Sequence, residues 1–529
     1  MAGVTSNPKV TIQLLPAAIV DAFEDRRDLI VGQLGDAITV NSGDLIQNVH
    51  LMTQAQIRTL FGSNSDLTHR ILMWQQGNGS FSPLDVIGLT ASTTGSPAKA
   101  AGTITFTDTA TADGSFTISI VDERRYSFDI DVELDDTAAV IAAAVNTAIG
   151  NLSNPPFTSG VSSGEVTITA HDSGTIGNDY GMKITGAAAG ITVALVNFTG
   201  GAEDPVLTTI FDPIAGLRYT GLNWPEVWAS NLSIPTDLMD DRFNASNAIM
   251  DGMVFHGKTD TFANDVSFVA SLNSQSLVVC GNAIIDADFN KGPAILQPAD
   301  WALCYFMGIR SRRLTPDAPV ADFIVSTSGP LDAFGGPSNA SLPYFNTPLA
   351  RTAVTLPGNL FSPQEQGELE DSGFSTFGVN PSLNEMITGP IVTTWTTDAA
   401  GNENVSFHYL NYVDTGSACR EIFFRNLKST YSQSRLTEGD LIPGRSMANE
   451  ESIKAELLRI YRVLANAALT QAGREAESYF ASETTVSVTL ATRTVTIAGP
   501  LPIVTQLGTI NYSLQFAFTV GQTGTQTVF

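Results

Sequence analysis

Between residues 91 and 205 the chain changes character twice, and that change limits its architecture more than any other feature. A Ser/Thr/Gly/Pro linker, ASTTGSPAKAAG, opens the stretch and GGAEDP closes it. Between them the runs TITFTD, GSFTISIVD, YSFDIDVEL, EVTITA, GMKIT and ITVALVNFT alternate apolar and polar residues, with turn residues in the gaps. A period of two puts every second side chain on one face, so these runs predict half-buried antiparallel strands. One helix interrupts them: AAVIAAAVNTAIG, capped by Asp136 or Thr137, whose small residues suit close packing on a sheet. Residues 92–203 are therefore expected as a β-rich domain inserted into a body of different texture.

That body, residues 23–91 and 204–440, mixes strands with helices. Asp28 to Leu34 reads as a buried strand, and Thr53-Gln54-Ala55-Gln56 is a capping box opening a short helix. Asn64 or Ser65 caps a second helix with Leu67, Ile71, Leu72 and Trp74 on its apolar side, and GNGS turns the chain into the strand Leu84 to Leu89. Further on come a helix over Thr236 to Gly252, a strand over Ser276 to Cys280 and a helix from Pro298 to Leu314. The last is apolar almost all round and ends in Arg310, Arg312 and Arg313, cations that complement a helix C-terminus. Ser362-Pro363-Gln364-Glu365 signals another helix start. A long helix is expected over 449–479, with Glu450 and Glu451 in its first turn and Ile453, Leu457, Ile460, Tyr461, Leu464 and Ala468 on one side.

The two ends of the chain look like strands with nothing to cover them. After Arg493 no charged residue occurs, yet Tyr512, Leu514, Phe516, Phe518 and Val520 alternate as a strand would. The first twenty residues share this character: Val10, Ile12 and Leu14 alternate and Lys9 is the lone charge. Monomeric proteins blunt such edges with Lys, Pro or bulges, so uncharged strand-like ends predict strand addition between copies. The expected fold class is a multidomain α+β chain. It comprises an N-terminal arm (1–22), a discontinuous mixed α/β core domain (23–91 and 204–440), the inserted antiparallel β-rich domain (92–203), a C-terminal helix and strand domain (441–499) and a C-terminal β-strand arm (500–529).

Composition removes several functions. Of 529 residues only 15% are charged, with 27 basic against 53 acidic, a formal net charge of −26. Such a balance opposes a nucleic-acid groove, which neutralises phosphates with clustered Lys and Arg. The longest uncharged stretches carry too much Thr, Gly, Asn and Gln for a membrane-spanning helix. Pro16 breaks the apolar run after Lys9, so the N-terminus is read as a mature segment and not a signal peptide. Cys280, Cys304 and Cys419 sit among apolar neighbours without metal-type spacing and are read as buried thiols.

Catalytic signatures are correspondingly sparse. His50, His69, His171, His256 and His408 are scattered singly, and no nucleophile elbow, P-loop or dinucleotide-binding glycine pattern occurs. Carboxylates cluster at Glu365, Glu368, Glu370 and Asp371 and at Asp237, Asp240 and Asp241. Such pairs can hydrolyse glycans when they converge on a cleft, but acidic runs on helices are usually a solvated face. The turns Asp108 to Gly114 and Asp398 to Glu403 lack a full calcium-loop pattern. No catalytic residue, metal ligand or cofactor site is assigned.

Three segments resemble the contractile tail sheath proteins of bacteriophages, and within them the phage Mu-like type. They are TQAQIRTLFGSNSDLTHRILMWQQGN from Thr53 with the following LDVIGL; PLARTAVTLPGNLFSPQEQGELEDSGFSTFGVN; and ITGPIVTTWTTDAAGNENVSFHYLNYVDTGSACREIFFRNLKSTYSQSRL. The last holds Tyr412-Val413-Asp414-Thr415, with Arg425 and Arg435 downstream. The insertion, with TATADGSFTISIVDERR and GNDYGMKIT, also looks like that of Mu-like sheaths. The resemblance implies a non-enzymatic subunit that stacks helically around a tail tube and contracts to drive the tube through an envelope. It implies self-association as a homo-polymer, contacts with tail tube, baseplate and tail terminator proteins, and a place in the virion tail after assembly in the host cytoplasm. It also implies arms exchanged between neighbours, an outer position for the insertion, and an inner-radius C-terminal helix whose Lys454, Glu456, Arg459 and Arg462 could touch the tube. A solvated helix face would account for the same four residues. An envelope glycan-degrading enzyme and a β-rich surface or adhesion protein are the alternatives; the enzyme needs a convergent acid pair and the adhesin needs export.

Overall fold

In a computed structural model of the chain, residues 9–13, 27–35, 38, 40–63, 65–91, 96–121, 125–153, 155–243, 250–283, 299–314, 344–349, 360–380 and 385–505 are described. The chain opens with β1 (Lys9–Gln13), β2 (Asp28–Gln33), the two-residue β3 (Leu45–Ile46), α1 (Gln54–Phe61), α2 (Asp66–Asn78) and β4 (Leu84–Leu89). All six residues of β2 and of β4 are buried, as strands covered on both faces must be. The capping box at Thr53 and Gln56 forms, and Ser65 takes the N-cap of α2 by accepting the Thr68 N–H.

The insertion follows: β5 (Lys99–Thr107), β6 (Gly114–Val121), β7 (Arg125–Val132), α3 (Ala138–Gly150), β8 (Phe157–Ser162), β9 (Glu165–Ser173), β10 (Gly181–Ala187) and β11 (Thr192–Thr199). They build two antiparallel sheets, ordered β11-β5-β9-β8 and β10-β6-β7. The alternation seen in sequence puts Ile104, Phe106, Val166 and Ile168 of one sheet and Ile118 and Ile120 of the other into one core. Helix α3 adds Ile141, Ala142, Val145 and Ile149 to it.

The body resumes with β12 (Gly221–Trp224), α4 (Ser233–Phe243), β13 (Met253–Asp260), α5 (Phe262–Val269), β14 (Leu277–Ala283), α6 (Ala299–Leu314), α7 (Pro363–Asp371), β15 (Phe374–Asn380) and β16 (Glu385–Thr388). Eight strands form one sheet ordered β16-β15-β14-β13-β12-β2-β4-β3. The inner pairs are parallel and the two outermost pairs antiparallel. Because both faces are covered, alternate residues of one strand feed different cores. Ile30 joins α2 and α6, while Leu29 and Val31 join α4, α5 and α7. Sequence spacing carries the predicted helix through Thr236 to Gly252; α4 is described over Ser233–Phe243, residues 244–249 lie outside the described residues, and Asp251 and Gly252 are not helical but lead into β13. Gly252 there lies against the Tyr219 carbonyl, where a β-carbon would be 2.0 Å from the oxygen.

The parallel strands follow the doubly wound order, with the switch between β2 and β12. Such sheets hold ligands at the carboxyl ends of strands beside the switch. Here the Gln33 amide at the end of β2 donates to the Ser173 carbonyl of β9 at 2.5 Å, so the insertion sits on that position. Asp204 on the returning linker accepts from the Thr175 N–H and hydroxyl and ties the insertion back to its stem.

Helix α8 (Leu410–Tyr431) leaves the body and enters the last unit. Leu410 and Val413 pack in the α2/α6 core; Ala418, Cys419, Phe423 and Leu427 pack in another, with Leu314 from the end of α6. The rest comprises β17 (Arg435–Leu436), β18 (Met447–Ala448), α9 (Glu450–Asn466), α10 (Arg474–Glu483), β19 (Thr485–Thr489) and β20 (Thr494–Pro500). The single helix expected over 449–479 is thus two. Ala468 takes a φ of 55°, and Leu469 and Gln471 are held by backbone bonds to Val504 and Pro502, which pull the chain out of the helix.

Candidate assembly surface

The last unit contains a three-stranded sheet made from both ends of the chain, ordered β1-β20-β19. β19 and β20 form an antiparallel hairpin, and β1 lies antiparallel along the other side of β20, with Val10 opposite Gly499 and Ile12 opposite Ile497. One face is covered by α9 and α10: Ile453, Leu457, Ile460, Leu464 and Phe480 share a core with Val488 and Ile497. Leu14, Tyr512, Leu514, Phe516, Phe518 and Val520 lie outside the described residues. Of the segment 500–529, residues 501–505 return to their own chain: Leu501 is buried and Val504 donates to the Leu469 carbonyl.

The outer edge of β19 has no strand partner among the described residues. None of its five residues is charged. The Val488 N–H points away from β20 and donates to Glu450 Oε1 at 3.0 Å. Glu450 is the first residue of α9, after the N-cap Asn449, whose side chain accepts the Ser452 N–H while Ser452 returns a bond to the Asn449 N–H.

The four candidate tube contacts are on α9, and three of them are tied within the subunit. Arg459 forks onto Glu456 at 2.7 and 2.8 Å and reaches Asn426 of α8 at 3.0 Å. Those bonds hold the Glu456 carboxyl below its ordinary range. Arg462 bonds Glu477 of α10 at 2.5 and 3.0 Å. Both arginines remain more than half exposed. They therefore brace α8, α9 and α10 and still present charge outward.

Charge is distributed unevenly about this surface. Residues 410–529 hold ten basic and ten acidic side chains, so the entire formal −26 lies in residues 1–409. Residues 92–203 alone carry thirteen acidic against four basic. The unit with the open edge is electroneutral, and the body and insertion are polyanionic.

Where α8 crosses from one core to the next, a buried polar belt joins it to the body. Arg310 pairs with Asp414, Arg218 with Glu421 at 3.1 Å, and Asp251 meets Arg218, Arg420 and the Ser417 hydroxyl. Sequence reading treats Arg310, Arg312 and Arg313 as helix-end cations. Arg312 and Arg313 do stand in the last turn of α6, and each of the three also has a tertiary partner: Arg310 is buried against Asp414, Arg312 lies over the Phe81 ring and Arg313 over the Tyr344 ring. No local pattern could reveal these partners.

Several of the carboxylates singled out in the sequence have structural partners. Glu365 closes the capping box of α7, Glu370 accepts the Tyr409 hydroxyl, and Asp398 accepts the Ala400 and Asn402 N–H groups of a β-turn. Asp237, Asp240 and Asp241 line an open depression on α4. The His256 ring is fully buried, which lowers its pKa to about 4 and keeps it neutral. All three cysteines are buried and free. Among the described residues no group of three or more His, Cys, Asp or Glu is placed to hold a metal, and no helix is long and apolar enough to cross a membrane.

No protein-family model matches the chain. Over 447 residues it is 24% identical to the Mu-like prophage FluMu tail sheath protein of Haemophilus influenzae, covering 83% of each chain. Among solved structures, the sheath tail protein Lin1278 of Listeria innocua aligns with 90% of this chain and 92% of its own, at 10% identity and a TM-score of 0.43. By sequence, the chain is similar to a Mu-like prophage tail sheath protein over most of its length.

Proposed function

We propose that this chain is a structural tail sheath subunit that polymerises helically around a tail tube and contracts to drive the tube through the host cell envelope. The observation that carries the reading is the β1–β20 ladder. A strand from the start of the chain fills one edge of a sheet whose other edge has no strand partner among the described residues, in an electroneutral unit. Fourteen residues separate Gln13 from Asp28, a length that spans up to roughly 45 Å when extended. β1 can thus lie on its own β20 or on that of a neighbour, and assembly exchanges the first pairing for the second. The segment around Tyr512 to Val520 supplies the complementary strand for the β19 edge of another copy.

In this reading residues 1–22 and the end of the chain are the arms. Residues 23–91 and 204–440 are the body, 92–203 an outer domain, and 441–499 the inner-radius unit. Lys454, Glu456, Arg459 and Arg462 face the tube; baseplate and terminator proteins close the two ends of the polymer in the virion tail. Contraction then draws on two packings of one subunit, with α8 and its charged belt keeping body and inner unit rigid while the arms hold neighbours together. The structural engagement of Glu365 and Glu370 does not favour the glycan-hydrolase alternative.

Negative-stain electron microscopy of the purified chain expressed alone, with its size-exclusion profile, tests the reading. Hollow helical tubes are the expected result. A persistent monomer that neither forms tubes nor adds to a preformed tail tube overturns it.

A further inference from the structure

The open edge of β19 is occupied at one point by a side chain, and we propose that Glu450 is a displaceable guard that keeps β19 from accepting a strand until a second copy of this chain offers its own segment 511–520. The inference rests on the strand-exchange reading above and adds to it the residue that regulates the edge.

Within its own residues β19 lacks the charge, proline and bulge that commonly protect an edge. Thr485–Thr489 holds no charge and no proline, and its register with β20 runs without a bulge. In an antiparallel ladder the N–H and C=O groups of alternate residues point to opposite sides. Since Val488 points outward, Val486 does too, and an incoming strand must bond both. The Glu450 carboxylate stands 3.0 Å from the Val488 nitrogen, where the carbonyl of that strand would have to be. One N–H cannot serve both acceptors well, so carboxylate and strand exclude each other.

Glu450 is held at this place by the fold of α9 and not by β19. The reciprocal Asn449 and Ser452 bonds fix the helix start, and Asn449 Nδ2 also bonds the Gly439 carbonyl at 3.3 Å. A carboxylate in the first turn is favoured by the helix dipole, and a charged acceptor binds an N–H more strongly than a carbonyl does. A chance strand therefore meets an occupied edge. The guard is reversible, because a displaced Glu450 stays at the α9 N-terminus, still favoured there, and only its bond to Val488 is exchanged. The occupant follows from chemistry: NYSLQFAFTV alternates like a strand and has no cation to recruit the carboxylate, so it must turn Glu450 out to solvent.

The test uses the full chain at a concentration where size exclusion shows monomer, with a fluorescent synthetic peptide of residues 509–522 as probe. Glu450→Ala is expected to bind the peptide about fivefold tighter than the native chain, with Glu450→Gln between them. Faster hydrogen exchange at the Val488 amide in Glu450→Ala, with unchanged circular dichroism, is the expected companion result. Equal or weaker binding by both variants overturns the guard while leaving β19 an acceptor. Peptide binding by none of the three proteins overturns the guard and the acceptor reading together. Should Glu450→Ala not fold, Glu450→Gln against the native chain decides by the same criteria.

Discussion

Arg310 and Asp414, on α6 and α8, form a buried two-pronged ion pair, Nη2 to Oδ1 at 2.5 Å and Nε to Oδ2 at 3.0 Å. The Tyr344 hydroxyl adds a third bond to Asp414 at 2.6 Å, and Arg310 also donates to the Thr220 carbonyl at 2.9 Å. The pair fastens the helix leading to the inner unit onto the body sheet. Removing one partner of such a pair leaves a desolvated charge and typically costs about 3–5 kcal/mol. Asp414→Ala is expected to lose that much in urea unfolding; a loss below about 1 kcal/mol would show that the joint is held by packing alone.

Helices α2 and α6 touch through glycines. A β-carbon on Gly308 would lie 2.4 Å from the Trp74 carbonyl oxygen, and one on Gly77 would lie 2.1 Å from the Tyr305 carbonyl oxygen. Both contacts are with backbone, which cannot move aside as a side chain could. Gly308→Ala should force the helices apart and destabilise the body by about 1–3 kcal/mol, read as a lower urea midpoint with unchanged slope.

Asp265, in the first turn of α5, is buried, and among the described residues neither carboxylate oxygen has a hydrogen-bond partner; Lys258 lies 3.9 Å away. Burial raises its pKa to about 8. A carboxyl raised in the folded state holds its proton better there than in the unfolded chain. Its contribution is therefore complete below the unfolded pKa near 3.8 and is lost as pH rises through about 8. Within that window each pH unit removes up to about 1.4 kcal/mol. Asp265→Asn should flatten the stability profile between those limits and stabilise the protein at the alkaline end. An unchanged profile in chemical denaturation would assign the pH dependence elsewhere.

Deleting residues 506–529, and not 500–529, spares Leu501 and the Leu469–Val504 bond. The truncated chain should stay a folded monomer by circular dichroism and size exclusion yet form no tubes. Tubes of normal length from it would remove the C-terminal arm from the assembly mechanism.

The polyanionic body opposes close packing of copies, whereas the neutral unit does not. Raising ionic strength from about 0.01 M to 0.15 M shortens the screening length from roughly 30 to 8 Å. The critical concentration for polymerisation should therefore fall over this range. A rise instead would mean that ion pairs between subunits dominate assembly.

Much of the local structure is legible in the sequence. The Thr53–Gln56 and Ser362–Glu365 boxes form, Asp28 begins a buried strand, and the alternating runs of the insertion pair as sheets. Each rests on residues a few positions apart, which share a turn or a strand face in any fold that keeps the element. Signals that depend on distant chain failed. The apolar spacing through Ala468 predicts one continuous helix, but residues 502–504, more than thirty positions on, break it at 467–473.

By itself, then, the sequence determined most element types, the caps, the apolar faces and the scarcity of charge at both ends, because periodicity and capping act within a few residues. Only tertiary structure decided which groups meet. Asp414 finds Arg310 across 104 positions, Val10 lies beside Gly499, and Glu450 covers the Val488 amide of β19. Burial turned the Arg310 charge into a joint, and the placing of α9 turned a helix-start carboxylate into a strand cap. Neither role can be read from neighbours in sequence, since each depends on where the folded chain brings a partner and excludes water.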